Sequence, residues 1–259
     1  MLEVTGLTRA FGSHVAIADV SLRVADGELV TIVGPSGCGK STLLRCLAGL
    51  LPPTSGRVVL DGVPVTKVPD RLAVVFQDYS RSLYPWLTVA DNVALPLRRE
   101  GRGRPGRSAK ARRRSALAAL DSVGLAGFAG RHPWQLSGGM QQRVAIARAL
   151  ACDPVLLLMD EPFGSMDAQM REDLEDLVLR VRADRNITIL LVTHDIDESV
   201  YTGDRVIVLT RGPGRVVADV PVDLPAPRDQ IATKELREFA RLRAEVSRLV
   251  RASKLPEPC

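Results

Sequence analysis

Short runs of aliphatic and β-branched residues that end at glycine or proline alternate along this chain with longer segments whose apolar positions recur every three to four residues. Strands of the first kind linked by helices of the second build a mostly parallel sheet covered by helices. The runs predict strands over residues 3–8, 14–24, 28–33, 57–61, 72–76, 155–159, 188–193, 205–209 and 216–222, with antiparallel pairs among the earliest and latest. From about residue 78 to 152 the strand signal is absent, and "TVADNVALPLRRE", "AKARRRSALAALDSVGL" and "MQQRVAIARALA" read as helices. The expected organisation is therefore an α/β body over residues 1–77 and 153–227, an inserted helical subdomain over 78–152, and a C-terminal amphipathic helix with a tail over 228–259. That last helix carries Ile231, Leu236, Phe239, Leu242, Val246 and Leu249 on one stripe, the spacing of a helix packed on its own body.

Composition narrows the picture. A chain of 259 residues buries a sizeable core without staples. Its four cysteines (Cys38, Cys46, Cys152, Cys259) fall at no CxxC spacing, so reduced thiols are expected and neither a disulfide framework nor a zinc site. The N-terminus lacks the layout of a signal peptide, and aliphatic runs such as "VLLLM" are strand-sized, far short of the roughly 20 residues that cross a bilayer. Contact with a membrane must then go through a partner. The net charge of +5 is local: residues 98–114 contribute +8 and residues 228–254 contribute +4, which leaves the rest at −7. A broad basic surface for nucleic acid is not expected. The arginine-rich segment 98–114 reads first as a solvated linker, then as an attraction for anionic lipid headgroups, and last as a nucleic-acid patch, because no aromatics interleave its arginines.

The chemistry is concentrated in a few stretches. "LVTIVGPSGCGKSTLLRCLAGL" is an aliphatic strand, a loop with Gly34, Gly37 and Gly39, and a helix opened by Lys40 and Ser41, which is G-x-x-x-x-G-K-[ST] in its required context. Glycines let backbone N–H groups curl around phosphates, and the helix N-terminus adds positive potential. Lys40 then serves the β- and γ-phosphates and the Ser41 hydroxyl serves Mg²⁺. "VLLLMDEP" brings Asp160 and Glu161 to the carboxyl end of a buried strand, where ligands bind in parallel sheets. After a P-loop, Asp160 is expected on Mg²⁺ and Glu161 as the general base that polarises water. His194 follows "ITILLVT" and Gln77 ends "LAVVF", both at that sheet edge. "LSGGMQQR" opens a second helix with a hydroxyl and two glycines, a second start suited to a phosphate.

Taken together these motifs resemble, over nearly the whole chain, the nucleotide-binding subunit of an ABC transporter. The resemblance implies an ATP-hydrolysing P-loop NTPase cassette, with an antiparallel β subdomain and a helical subdomain on a mostly parallel core. It implies ATP contacts from Phe11 (stacked on adenine), Gly34, Pro35, Ser36, Gly37, Cys38, Gly39, Lys40, Ser41 and Thr42, a Q-loop at Gln77 that also serves Mg²⁺, and a switch histidine at His194. Ser137, Gly138 and Gly139 of the signature, and Asp167 of the "SMDA" D-loop, would meet ATP held by a second copy in a head-to-tail dimer. That implication answers why one chain has two phosphate-seeking helix starts: each site needs the other copy.

"FQDYSRSLYPWLTVADNVALPL" and "TRGPGRVVADVPVDLPAPRD" are similar to importers of the nitrate, sulfonate and taurine group. The resemblance implies two membrane permease subunits, an extracytoplasmic solute-binding protein, and a place on the cytoplasmic face of the cell membrane. The groove after Gln77, with Tyr79, Tyr84 and Trp86, would take the permease, although Trp86 also reads as an anchor of the subdomain core. The solute is expected to be small and anionic; a thiamine pyrimidine precursor stays open, as does a soluble, non-transport ABC ATPase. Met166 replaces the family's usual Leu, and the arginine-rich loop exceeds the family's basicity.

Overall fold

The computed structural model describes residues 1–78, 82–98, 108–164 and 166–253. Two sheets carry the fold. β1 (Leu2–Phe11), β2 (His14–Val24), β4 (Ser55–Leu60) and β5 (Val63–Pro64) form an antiparallel sheet in the order β2-β1-β4-β5. β3 (Leu29–Val33), β6 (Leu72–Val75), β7 (Leu156–Asp160), β8 (Thr188–Val192), β9 (Arg205–Leu209) and β10 (Val216–Pro221) form the second, in the order β10-β9-β3-β8-β7-β6. In the second sheet all pairs are parallel except β10 with β9. The mixed architecture with early and late antiparallel pairs is as the sequence predicts; β5, at two residues, is too short to leave a pattern.

Residue alternation along the strands sorts the large sheet's two faces. Leu157, Met159, Ile189 and Leu191 pack with α4 (Gly138–Leu150) and α5 (Ala168–Arg185) in one apolar cluster. Their immediate neighbours Leu156, Leu158, Leu190 and Val192 pack with α1 (Lys40–Leu47) in another. Strands buried on both faces read as unbroken aliphatic runs, which is why β3, β7 and β8 contain only buried residues.

Between β6 and β7 lie α2 (Val89–Ala94), α3 (Ala109–Ser122) and α4, together with 3₁₀ turns at Leu95–Arg98, Ala126–Phe128 and Pro133–Gln135. Thr88 caps α2 by accepting from Asp91 N at 3.1 Å. Pro96 falls in the 3₁₀ turn that follows, because it has no N–H to continue the α-helix. The arginine-rich residues 99–107, Tyr79, Ser165 and the tail 254–259 lie outside the described residues.

The C-terminal expectation needs one correction. The single helix read from Ile231 onward is two: α7 (Ala232–Glu235) and α8 (Arg237–Ala252), separated by extended Leu236. Asp229 Oδ1 accepts from Ile231 N at 3.0 Å and Ala232 N at 2.8 Å, while Thr233 Oγ1 accepts from Asp229 N at 2.9 Å. This turn fixes a short helix of its own and leaves Ile231 exposed. The stripe then holds from Phe239: Phe239, Leu242 and Val246 bury against Val200, Tyr201 and Val208, the helices α6 (Ile196–Thr202) and α8 packing together.

Candidate functional site

β3 delivers the glycine loop. Gly37 and Gly39 sit at φ +77° and +95°, where only glycine is comfortable. A Cβ on Gly39 would lie 2.6 Å from Ala16 O, so the loop is pressed against β2. Lys40 is buried, and its ammonium donates to Gly34 O at 2.8 Å and Pro35 O at 3.2 Å. An ammonium held on carbonyls of its own loop is placed for an anion lying in that curl. Ser36 and Gly37 are open to solvent, and Thr42 is half-buried on the first turn of α1. Burial pushes the Cys38 thiol up, so it packs as a neutral side chain and any contact with phosphate falls to its backbone.

The carboxylates stand across from α1. Ser41 Oγ donates to Asp160 Oδ1 at 3.1 Å. Burial raises the Asp160 carboxyl above the usual range, the Ser41 hydrogen bond opposes that rise, and the Glu161 charge adds to it. The next residue, Glu161, adopts φ +45°, a left-handed backbone that costs a non-glycine residue about 1–2 kcal/mol. Its N–H is tied to Val192 O at 2.8 Å. Gln77 Nε2 donates to Glu161 Oε2 at 3.0 Å, and His194 Nδ1 lies 3.1 Å from the same oxygen. Among the described residues only Gln77 donates a hydrogen bond to this carboxylate, and none donates to Oε1. A carboxylate oriented through one oxygen by an amide donor, with an imidazole against that same oxygen, keeps the other for a water.

Ser137 caps α4, its Oγ accepting from Met140 N at 3.3 Å. Ser137 and Gly138 are exposed, whereas Gly139 is buried with the Met170 side chain directly over it. Asp167 caps α5, accepting from Met170 N at 2.9 Å, and remains exposed. α1 and α4 pack on opposite faces of the sheet, so the P-loop and the signature helix start are carried on different sides of it. Phe11 is 46% exposed, and Arg9 covers one face of its ring at 4.6 Å. Trp86 is likewise exposed and meets Tyr84 edge-on at 5.2 Å, so it does not anchor the helical core. Met166 packs against the α4–α5 cluster.

Several contacts at the site have no sequence motif. Arg171, one turn into α5, binds Asp195 at 3.0 Å; Asp195 follows His194 and caps α6 by accepting from Asp197 N and Glu198 N. Buried Gln142 donates to Pro162 O at 2.7 Å, which links the signature helix to the residue after Glu161. Only side-chain identity in three dimensions exposes these pairs, since their partners are 20 or more residues apart in the chain.

A glycine loop opening a helix, a carboxylate bonded to that helix's serine, an oriented acid and a second open helix start on one chain define the class: an ATP-binding cassette of the P-loop NTPase fold. The chain belongs to the ABC transporter family, whose model matches residues 17–164, and like its family it is an ATP-hydrolysing cassette. It is 48% identical over 217 residues to the taurine import ATP-binding protein TauB of Yersinia pestis, covering 84% of this chain and 82% of that protein. Its identity to the nitrate import ATP-binding protein NrtD of Synechococcus elongatus is 44% over 236 residues, covering 90% and 84%. Among solved structures it resembles an ATP-binding cassette in a dimeric post-hydrolysis state bound to ADP and Pi, with a TM-score of 0.73 and 36% identity over 86% of this chain and 99% of that one. It also resembles CbiO1 of Clostridium perfringens, part of the ABC transporter complex CbiONQ, with a TM-score of 0.77 and 26% identity over 98% of each chain.

Proposed function

We propose that two copies of this chain close head to tail on two ATP molecules and power uptake of a small anionic solute of the taurine or nitrate type. They would do so under two membrane permease subunits supplied by an extracytoplasmic binding protein. The reading rests on one observation: the two phosphate-seeking helix starts, at Lys40 and Ser137, are carried on opposite faces of one sheet, and Ser137 and Gly138 stand open to solvent. The names of the similar import proteins support the solute class. Among the described residues no helix is long and apolar enough to cross a membrane, in keeping with a peripheral subunit at the cytoplasmic face.

The residues present suit Mg²⁺, whose usual protein partners are one or two oxygen ligands beside substrate phosphates. Ser41 Oγ and Asp160 Oδ1 lie together at the end of β7, and Gln77 uses its Nε2 on Glu161, leaving its amide oxygen for the ion. When bound, the ion would neutralise charge on the β- and γ-phosphates. Backbone N–H groups of residues 36–41 hold the phosphates, and Lys40 exchanges its two carbonyls for them. Glu161 accepts a proton from a water directed at the γ-phosphate, Gln77 orienting its carboxylate through Oε2 and His194 lying against the same oxygen. Ser137 and Gly138 of the second copy stabilise charge that develops on the γ-phosphate, and Asp167 flanks that interface. Phe11 stacks on the adenine with the ring face that Arg9 leaves open.

The test is a pull-down with tagged Glu161→Gln protein from detergent-solubilised native membranes. This variant should lose hydrolysis by at least about a hundredfold and remain dimeric with ATP. A multi-spanning membrane protein should be recovered with it; recovery of soluble proteins alone would refute the importer assignment.

A further inference from the structure

The turn that leads into the signature helix presents an indole that the site as described does not use. Trp134 is 70% exposed, and His132 is stacked on it at 5.9 Å with 20° between ring planes. The turn beneath is held firmly. Pro133 is buried, His132 N donates to Gln135 Oε1 at 2.8 Å, and Leu136 N donates to Pro133 O at 3.1 Å. Gln141, from the first turn of α4, donates to Pro133 O at 3.1 Å and Leu136 O at 3.3 Å. An exposed indole on a fixed turn, with an imidazole lying nearly parallel to one side of it, offers its open face for stacking.

Its distance from Ser137 identifies what fills it. Trp134 precedes Ser137 by three residues, and Leu136 and Ser137 are extended. Three residues of chain reach up to roughly 10 Å, the scale that separates the terminal phosphate of ATP from its nucleoside. We propose that Trp134 of one chain stacks on the adenosine of the ATP held by the other, so that the base lies between the second chain's Phe11 and this indole. The proposal rests on the head-to-tail reading above. Each chain would then hold the second copy's nucleotide at both ends, by Ser137 at the phosphate and Trp134 at the base. Trp86, the chain's other tryptophan, sits with Tyr84 before α2 and belongs to a different surface.

The experiment uses the full chain with Glu161→Gln and Trp86→Phe, which leaves Trp134 as the sole indole. ATP with Mg²⁺ is titrated while indole emission and sedimentation are followed together. Emission should be quenched in step with dimer formation, and ADP should produce neither change. Trp134→Ala, a change at a solvent-exposed position that spares the fold, should raise the ATP concentration for half-dimerisation by about tenfold per site, the effect of losing one base stack. Trp134→Phe should recover most of that loss. With CTP, whose smaller base stacks less, the Trp134→Ala shift should shrink. A dimer that forms without any change in emission overturns the proposal, as does Trp134→Ala dimerising at the parent's ATP concentration, or an equal shift with ATP and CTP, which would place Trp134 against protein. Those outcomes leave the head-to-tail reading intact, whereas failure of the parent to dimerise with ATP defeats both.

Discussion

Glu175→Gln is expected to flatten the pH dependence of stability. Glu175 lies on α5, one turn beyond Arg171, and is buried. Desolvation pushes its carboxyl from 4.5 up to about 7, with the Gln230 hydrogen bond at 3.1 Å, Lys234 and Arg171 pulling down and Asp195 pushing up. In the unfolded chain this carboxyl loses its proton near 4.5, whereas the folded chain keeps it until about 7. Between those values the folded state holds the extra proton, so stability falls as pH rises through the window and levels off above it. A rise of this size corresponds to roughly 3 kcal/mol. Neighbouring Glu198 acts in the same direction, since burial first and the Glu175 charge second push it well above the carboxylate range. Urea unfolding of the two proteins in parallel from pH 4.5 to 8.5 isolates Glu175 together with the Glu198 it acts on, because titrating residues not coupled to Glu175 cancel in the difference. Stability of the variant relative to the parent should grow by about 3 kcal/mol up to pH 7 and then hold; a difference that is flat or falls with pH refutes the desolvated carboxyl.

Three other substitutions probe other parts of the argument. Gly39→Ala places a Cβ 2.6 Å from Ala16 O at φ +95°, so ATP binding, measured by calorimetry, should be lost together with a few kcal/mol of stability, on the order of 1–3 kcal/mol for the backbone alone. Arg171→Met breaks the 3.0 Å ion pair to Asp195 behind His194 and should lower the rate of phosphate release by about tenfold, roughly 1.4 kcal/mol, with ATP affinity unchanged in equilibrium titrations; a loss of affinity instead would refute its role in holding the histidine. Leu242→Ala removes a buried side chain from α8 and should cost about 2–5 kcal/mol in denaturant unfolding, whereas Ile231→Ala, at an exposed position, should leave the midpoint where it is.

What was legible in the chain is what the chain builds locally. The P-loop declares itself because strand, glycines and helix start are contiguous, and the nine longer strands are visible because burial on one or both faces leaves an aliphatic pattern. The break at Leu236 was hidden because the stripe of period three to four continues across it; the turn is made by Asp229 and Thr233 side chains, which leave no apolar signal. Gly139 was readable as a phosphate contact from its motif alone, but only the packed structure brings Met170 over it. Arg171 with Asp195, and Gln142 with Pro162, pair across helices and loops, and no periodicity encodes which polar residue of one will meet which of the other.

The geometry at the end of β7 shows how the sheet divides two carboxylates between two tasks. Alternation puts Leu156 and Leu158 on the α1 face and Leu157 and Met159 on the α4 face. Asp160 continues that count to the α1 face, where it meets Ser41. Glu161, one step on, would by the same alternation turn to the α4 face, away from the phosphates. The left-handed backbone at Glu161 breaks the count at the one residue where that matters, and its side chain instead reaches the ends of β6 and β8 at Gln77 and His194. The strain of about 1–2 kcal/mol is offset locally by the N–H bond to Val192 O. A residue so placed is set by backbone conformation before any ligand arrives, so the acid is aimed by the fold and only then oriented by Gln77.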